Sequence, residues 1–216
     1  LTLSLVIANK NYSTWSLRPW LLLKHFKQPF TEIVESLNFE QHQLSSNLSK
    51  YSPSKCVPVL IDDGLHIWDS LAICEHLNDT CLQHKAWPTD QKLKSYGRSI
   101  VAEMHSAFSA LRNCMPMNIR AKRKIEMPTD LITDLKRIDT IWSNAKGDWL
   151  LGSFSIADCM FAPVAFRLET YHYPLSAKAE GYRQQLLQHP AMQQWKTKAL
   201  QETEIVAMDE AGDEIA

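Results

Sequence analysis

Three short stretches carry side chains whose types and spacing suit chemistry. SPSKCVPVL (52–60) places Pro58 at the opening of an apolar run. A strand needs its backbone N–H groups and proline has none. Pro58 therefore sits in the ordinary trans form at a strand edge, or in a cis Val57-Pro58 bond that turns the chain and offers the Val57 N–H and C=O to a ligand. WDSLAICEHL (68–77) places Asp69 and Ser70 where a strand gives way to a helix. The first N–H groups of a helix are unpaired donors with partial positive charge, and with the Ser70 hydroxyl they can hold a carboxylate. Asp69 can meanwhile pair with an ammonium, so the two suit the head group of an α-amino acid; the alternative is a plain N-cap. NYSTWSLRPW (11–20) is the turn into the first helix, where Ser13, Thr14 or Ser16 can cap the helix or aim a hydroxyl at an anion, and Tyr12 can supply a phenol.

The elements that must position these stretches fall into two regimes. Residues 2–8 alternate as a strand, 15–27 read as a helix apolar nearly all round, and 30–37 read as a second strand. Pro19 fits best in the first turn of its helix, which sets the helix start near Thr14 to Ser16. The polar run EQHQLSSNLSK (40–50) has weak helical character. VPVLID (57–62) and LHIW (65–68) are strands joined by an Asp63-Gly64 turn, and a helix follows with Leu71, Cys74, Leu77 and Cys81 on one stripe. From residue 90 almost every period is helical. Leu93, Tyr96, Ile100, Met104, Phe108, Leu111 and Met115 predict one long core helix ending at Pro116. Leu131, Leu135, Ile138 and Trp142 predict another, 155–171 a third, and 180–201 one or two more. The acidic tail from Glu202 reads as loose. The expected fold class is α/β plus all-α: a βαβαββα domain over 1–83, a linker at 84–89 and a helical bundle over 90–216.

Composition narrows the function classes. With 23 basic and 24 acidic residues in 216, the net charge is −1, too balanced to hold a polyanion, so a nucleic-acid partner is not expected. No apolar run reaches the roughly 20 residues of a membrane span, and LTLSLVIANK lacks the basic segment of a signal peptide. Seven Trp beside six Gly argue for large aromatic core packing and against glycine-rich phosphate loops. Cys56, Cys74, Cys81, Cys114 and Cys159 contain no C-x-x-C pair, so no metal site is expected and the thiols read as free and buried.

The three motifs in this order, with a helical second half, resemble the cytosolic glutathione S-transferases over roughly residues 2 to 200. SPSKCVPVL and DSLAICEHL are most similar to the zeta class, the maleylacetoacetate isomerases, and GSFSIAD (152–158) matches the family's capping box, with Ser155 as cap, Asp158 at N3 and Phe154 and Cys159 as the staple. The resemblance implies a thioredoxin-like N-terminal domain, a homodimer, a cytoplasmic location and glutathione as co-substrate without a metal. It implies that Val57 pairs through its backbone with the cysteinyl part of glutathione, with Pro58 cis, and that Asp69 and Ser70 hold the γ-glutamyl head group. Lys55 approaches the glycyl carboxylate or is an exposed loop lysine. The zeta Ser-Ser-Cys run is absent: aligned on Trp15, its serine falls on Asn11 and its cysteine on Ser13. Ser13 is the expected hydroxyl donor to the sulfur, with Tyr12 next. Tyr12, His105, Phe108, Arg112 and Arg167 are the expected lining of an apolar acceptor pocket, although Met104, Phe108, Leu111 and Met115 also read as a core stripe. RNCMPMNIRAKRK (112–124) reads as a solvated basic helix end or an acidic-substrate site. The implied activity is transfer of glutathione to a small electrophile; the alternatives are a glutathione-dependent cis–trans isomerase or peroxidase, or a non-catalytic binder. A thiol reductase would want a cysteine in the 11–16 turn, and none is there.

Overall fold

In the computed structural model, which describes residues 3–36 and 48–215, the chain begins with a four-stranded sheet in the order β2-β1-β3-β4. Strand β1 (Leu3–Ala8) runs parallel to β2 (Thr31–Glu35) and antiparallel to β3 (Val59–Asp62), which turns back into β4 (Leu65–Ile67). The turn has positive φ at both Asp63 (47°) and Gly64 (86°), the backbone that a two-residue hairpin with right-handed strand twist requires. Helices α1 (Thr14–His25) and α2 (Ser70–Thr80) pack together on the sheet. Most of the run EQHQLSSNLSK lies outside the described residues.

A helical half follows: α3 (Gln91–Ser106), α4 (Ser109–Cys114), α5 (Thr129–Ser143), α6 (Ile156–Thr170), α7 (Ala177–Gln188) and α8 (Pro190–Ala199). The halves join through α1. Leu17, Trp20, Leu21, Leu22 and Leu23 are all buried, because α1 meets the sheet on one side and α6 and α8 on the other. Trp20 packs edge-on against Trp195 of α8 with ring centres 5.0 Å apart. An apolar helix without a polar face thus has a neighbour for every face. None of the described helices is long and apolar enough to cross a membrane.

Four expectations need correction. The long helix over 93–115 is two helices, broken well before Pro116. Ala107 is extended and Phe108 is left-handed at φ 59°. The Arg112 side chain holds the break, donating to the carbonyls of Ala107 (3.2 Å), His105 (3.4 Å) and Met104, while Asp134 accepts the Leu111 N–H at 3.0 Å. Periodicity survives because Met104, Phe108, Leu111 and Met115 stay in one core; it reports burial, not backbone continuity. Pro19 lies in the second turn of α1, not the first, so that turn forgoes one intrahelical bond. Only Cys74 and Cys159 are buried thiols; Cys56 is exposed and Cys81 and Cys114 half-buried, all five being free.

The fourth correction is the tail, which is docked. Glu202 accepts the backbone N–H groups of Lys10 (2.7 Å) and Asn11 (2.9 Å). Glu204 accepts from Asn9 and Ser36, Val206 is buried, and Glu210 accepts from Tyr12, Asn118 and Arg123. Strand β6 (Asp213–Glu214) pairs with β5 (Arg123–Lys124).

A histidine pair ties the end of α1 to the start of α8. His189 Nδ1 accepts the Ala191 N–H at 3.1 Å, which leaves its proton on Nε2, 2.9 Å from His25 Nδ1. His25 stacks on Phe154 at 3.8 Å. Burial, reinforced by His189, pulls the His25 pKa down to about 4. The folded protein therefore binds fewer protons than the unfolded chain between that value and the ordinary ~6.5, so the pair's contribution is intact above about 6.5 and is lost as pH falls through this window. Melting curves between pH 7.5 and 5 are expected to show a larger acid loss of stability in wild type than in His25→Gln; equal slopes would contradict it.

Candidate active site

Strand β1 delivers the chain into a tight turn. The Ser13 N–H donates to Asn9 O at 3.1 Å and α1 starts one residue later. The four candidate groups of this turn part company here. Asn11 is fully buried, its amide donating to Asn118 at 2.8 Å and accepting the Arg120 N–H at 2.9 Å. Tyr12 donates its phenol proton to Glu210 at 2.5 Å and accepts from Arg120 at 2.9 Å; burial and then Glu210 raise its pKa. Both are committed to holding the turn against the helical half and tail. The Ser13 hydroxyl donates to Ser16 Oγ at 2.7 Å, and Ser16 Oγ also accepts the Ala8 N–H. Ser13 and Thr14 line a cavity of about 370 Å³ beside the start of α1, where the helix dipole favours a negative charge.

Val57 lies on the wall of that cavity with Lys55 and Cys56. The Val57-Pro58 peptide bond is cis, as is Trp68-Asp69. Among the described residues, the Val57 N–H and C=O take no hydrogen-bond partner. Lys55 sits in left-handed backbone at φ 54°. A second cavity of about 270 Å³ adjoins the first through Trp15, Cys56 and Val57 and is lined further by Pro58, Trp68, Asp69 and Ser70. Asp69 is the N-cap of α2, its Oδ1 accepting from Leu71 N (2.9 Å) and Ala72 N (3.3 Å). The cap and the ligand reading coexist, because the other oxygen points elsewhere. Asp69 Oδ2 lies 2.9 Å from His105 Nε2, and His105 packs edge-on against Trp15 at 5.4 Å. Ser70 is 1% exposed and its hydroxyl has no partner.

The predicted residues thus divide. Ser13, Tyr12, Lys55, Val57, Arg112 and Arg167 line the first cavity, and Val57, Pro58, Asp69 and Ser70 the second. Two expected pocket residues lie elsewhere. Phe108 is in the core at 4% exposure, its left-handed backbone turning the ring inward. His105 braces Asp69 across the two halves instead of lining the apolar pocket. Sequence reasoning missed Trp15, which borders both cavities, and Asp209, the tail carboxylate at the first. It also missed Arg18, one turn beyond Trp15 on α1. The i, i+3 spacing of Trp15 and Arg18 was the available signal for a shared face; nothing local marked Asp209. Burial raises the Asp209 pKa to about 6, Arg167 acting against the rise. No group of three potential metal-ligating side chains occurs among the described residues.

The comparisons with known proteins agree with this arrangement. Residues 12–80 match the glutathione S-transferase N-terminal domain model and 97–195 the C-terminal domain model. A probable maleylacetoacetate isomerase 2 of Drosophila melanogaster is 27% identical over 139 residues, covering 63% of this chain and 60% of the fly protein. The maleylacetoacetate isomerase of Dictyostelium discoideum is 26% identical over 174 residues, covering 74% and 79%. Among solved structures, a Burkholderia glutathione transferase homologue with bound glutathione superposes with TM-score 0.72 at 19% identity, covering 94% of this chain and 100% of that one. A diazinon-metabolizing glutathione S-transferase of the silkworm Bombyx mori gives 0.72 at 19%, covering 93% and 98%. A thioredoxin-like sheet domain, a helical partner domain and two family models that together span most of the sequence lead to one assignment: this chain belongs to the glutathione S-transferase family.

Proposed function

We propose that the protein binds glutathione across the two joined cavities, activates it as the thiolate and transfers it to a small electrophile. The observation that carries this reading is that Val57, whose backbone is unpartnered among the described residues, lines the same cavity as Ser13 beside the start of α1. A tripeptide thiol pairs with Val57, reaches toward Lys55 with its glycyl carboxylate and lays its γ-glutamyl group on Asp69 and Ser70. The unsatisfied Ser70 hydroxyl then gains a carboxylate acceptor, and the helix α2 N-terminus supports that charge. A free thiol has a pKa of about 8.5 and is only slightly ionised at pH 7; lowering it by about two units takes roughly 3 kcal/mol. A hydroxyl hydrogen bond from Ser13, turned from Ser16 onto sulfur, together with the α1 dipole supplies that order of stabilisation. The thiolate attacks the electrophilic carbon, the sulfur–carbon bond forms and the leaving group departs with its electron pair.

The protein is expected to be retained on immobilised glutathione, and Ser70→Ala to weaken the affinity by about tenfold, the value of one hydrogen bond to a charged group. Undiminished retention would remove the γ-glutamyl assignment. Ser13→Ala is expected to lower kcat by roughly 10- to 100-fold, with a smaller change in glutathione Kd. If Tyr12→Phe has that effect instead, the donor is the phenol. A second reading, glutathione-dependent cis–trans isomerisation, is favoured by the relatives named maleylacetoacetate isomerase. There the thiolate adds to a conjugated carbon, the bond rotates and the same sulfur leaves, so glutathione is recovered unchanged. By the family resemblance the protein works as a cytoplasmic homodimer, for which sedimentation would give about twice the 24.8 kDa chain mass.

A further inference from the structure

Two guanidinium groups lie against Trp15 at the wall of the first cavity, and a third lines the same cavity. The Arg18 guanidinium carbon lies 4.1 Å from an indole ring centre, and that of Arg112, arriving from the helical half, lies 4.9 Å away. Arg167 of α6 lines the cavity together with Arg112. Among the described residues none of the three makes a salt bridge. Arg112 and Arg167 each use part of the planar fork on main-chain carbonyls, Arg167 on those of Met115 and Leu111. Arg18 is 1% exposed, and its Nε and Nη1 are buried without any partner.

This arrangement is costly for the protein alone. A buried cation without a counterion loses hydration that carbonyl hydrogen bonds and an indole ring replace only in part, and three close together also repel one another. Burial first, then Arg112 and Arg167, pull the Arg18 pKa down to about 9, and burial followed by Arg112 pulls that of Arg167 to about 10. Among the described residues the only carboxylate on the cavity wall is Asp209, while Lys55 adds a further cation. Unpaired guanidinium groups beside a cavity fit a planar anion, since the fork donates two parallel hydrogen bonds to a carboxylate.

We propose that the electrophile accepted here carries a carboxylate, which docks on Arg112 and Arg167 beside Trp15, with Arg18 against the indole adding to the field. The inference rests on the glutathione reading and replaces the expectation of a largely apolar acceptor pocket. Two glutathione thioethers of equal length separate the possibilities: S-hexylglutathione, with an uncharged end, and S-(5-carboxypentyl)glutathione, with a carboxylate at the same reach. Calorimetric titration of the wild-type protein is expected to give about tenfold tighter binding of the carboxylated compound, as for one charge-assisted pair. The ratio of the two constants is expected to fall toward one in Arg167→Gln and to rise in Asp209→Asn, which removes a like charge. Tight S-hexylglutathione binding with equal or weaker binding of the carboxylated compound would overturn the anion site and leave the glutathione reading standing. Failure of both to bind would overturn the glutathione reading and this inference with it. Should Arg167→Gln not fold, the wild-type comparison decides alone.

Discussion

Asp158→Ala is expected to cost about 4 kcal/mol of folding stability, the sum of a broken buried network and of donors left unpaired. The carboxylate is fully buried at the start of α6. Its Oδ1 accepts from Leu150 N at 3.0 Å and Tyr182 Oη at 2.9 Å; its Oδ2 accepts from Ser155 N at 2.8 Å and Ser155 Oγ at 3.0 Å. The hydroxyls can reorient, but each oxygen also faces a backbone N–H, which cannot. Asp158→Asn is therefore no conservative change: either flip sets an amide N–H₂ against a main-chain donor. Both variants should melt roughly 10 °C below wild type, given the 2–4 °C per kcal/mol typical of chains this long. An Asn variant within about 1 kcal/mol of wild type would contradict the argument, being no larger than an ordinary surface change. Burial raises the Asp158 pKa to about 6 despite the four donors. The effect should reach the cavity, because α6 carries Arg167 and packs on α1, whose first turn holds Thr14 and Trp15.

Glu202→Ala is expected to lower stability by about 3 kcal/mol, since two backbone donors lose a charged acceptor. Its carboxylate is the only described acceptor for the Lys10 and Asn11 N–H groups. These amides belong to the turn that places Ser13, so catalysis should fall along with stability, while Glu202→Gln, which keeps one acceptor oxygen, should lie between. Amide exchange at Lys10 and Asn11 measures the cause directly: protection should drop there in the alanine variant, and unchanged protection would refute the assignment.

How much of this was legible in the chain depends on the reach of each interaction. The strands, the hairpin at Asp63-Gly64 and the Ser155–Asp158 capping box are written within a few residues and could be read. So could the Asp69 N-cap, whose donors Leu71 and Ala72 are its own neighbours, whereas the residues around Val57-Pro58 left trans and cis both open. The break at Phe108 could not, because Arg112 and Asp134 enforce it from one and several turns away while the apolar period runs on undisturbed. The tail was misread for the same reason. Its acidic, small residues have no local period, and their partners at Asn9, Lys10, Asn11 and Tyr12 lie more than 190 residues back. His105 meets Asp69 only because two domains face each other.

The docked tail has a consequence for how the protein is made. The 9–13 turn is synthesised well before its acceptor, since Glu202 follows 191 residues after Asn11. At about 5–20 residues per second, the turn waits roughly 10–40 s on the ribosome for the carboxylate that holds it. The sheet can fold in that interval, but the turn that holds Ser13 is completed only once Glu202 has been made, so a chain interrupted before it carries the sheet with the Lys10 and Asn11 amides still unpaired.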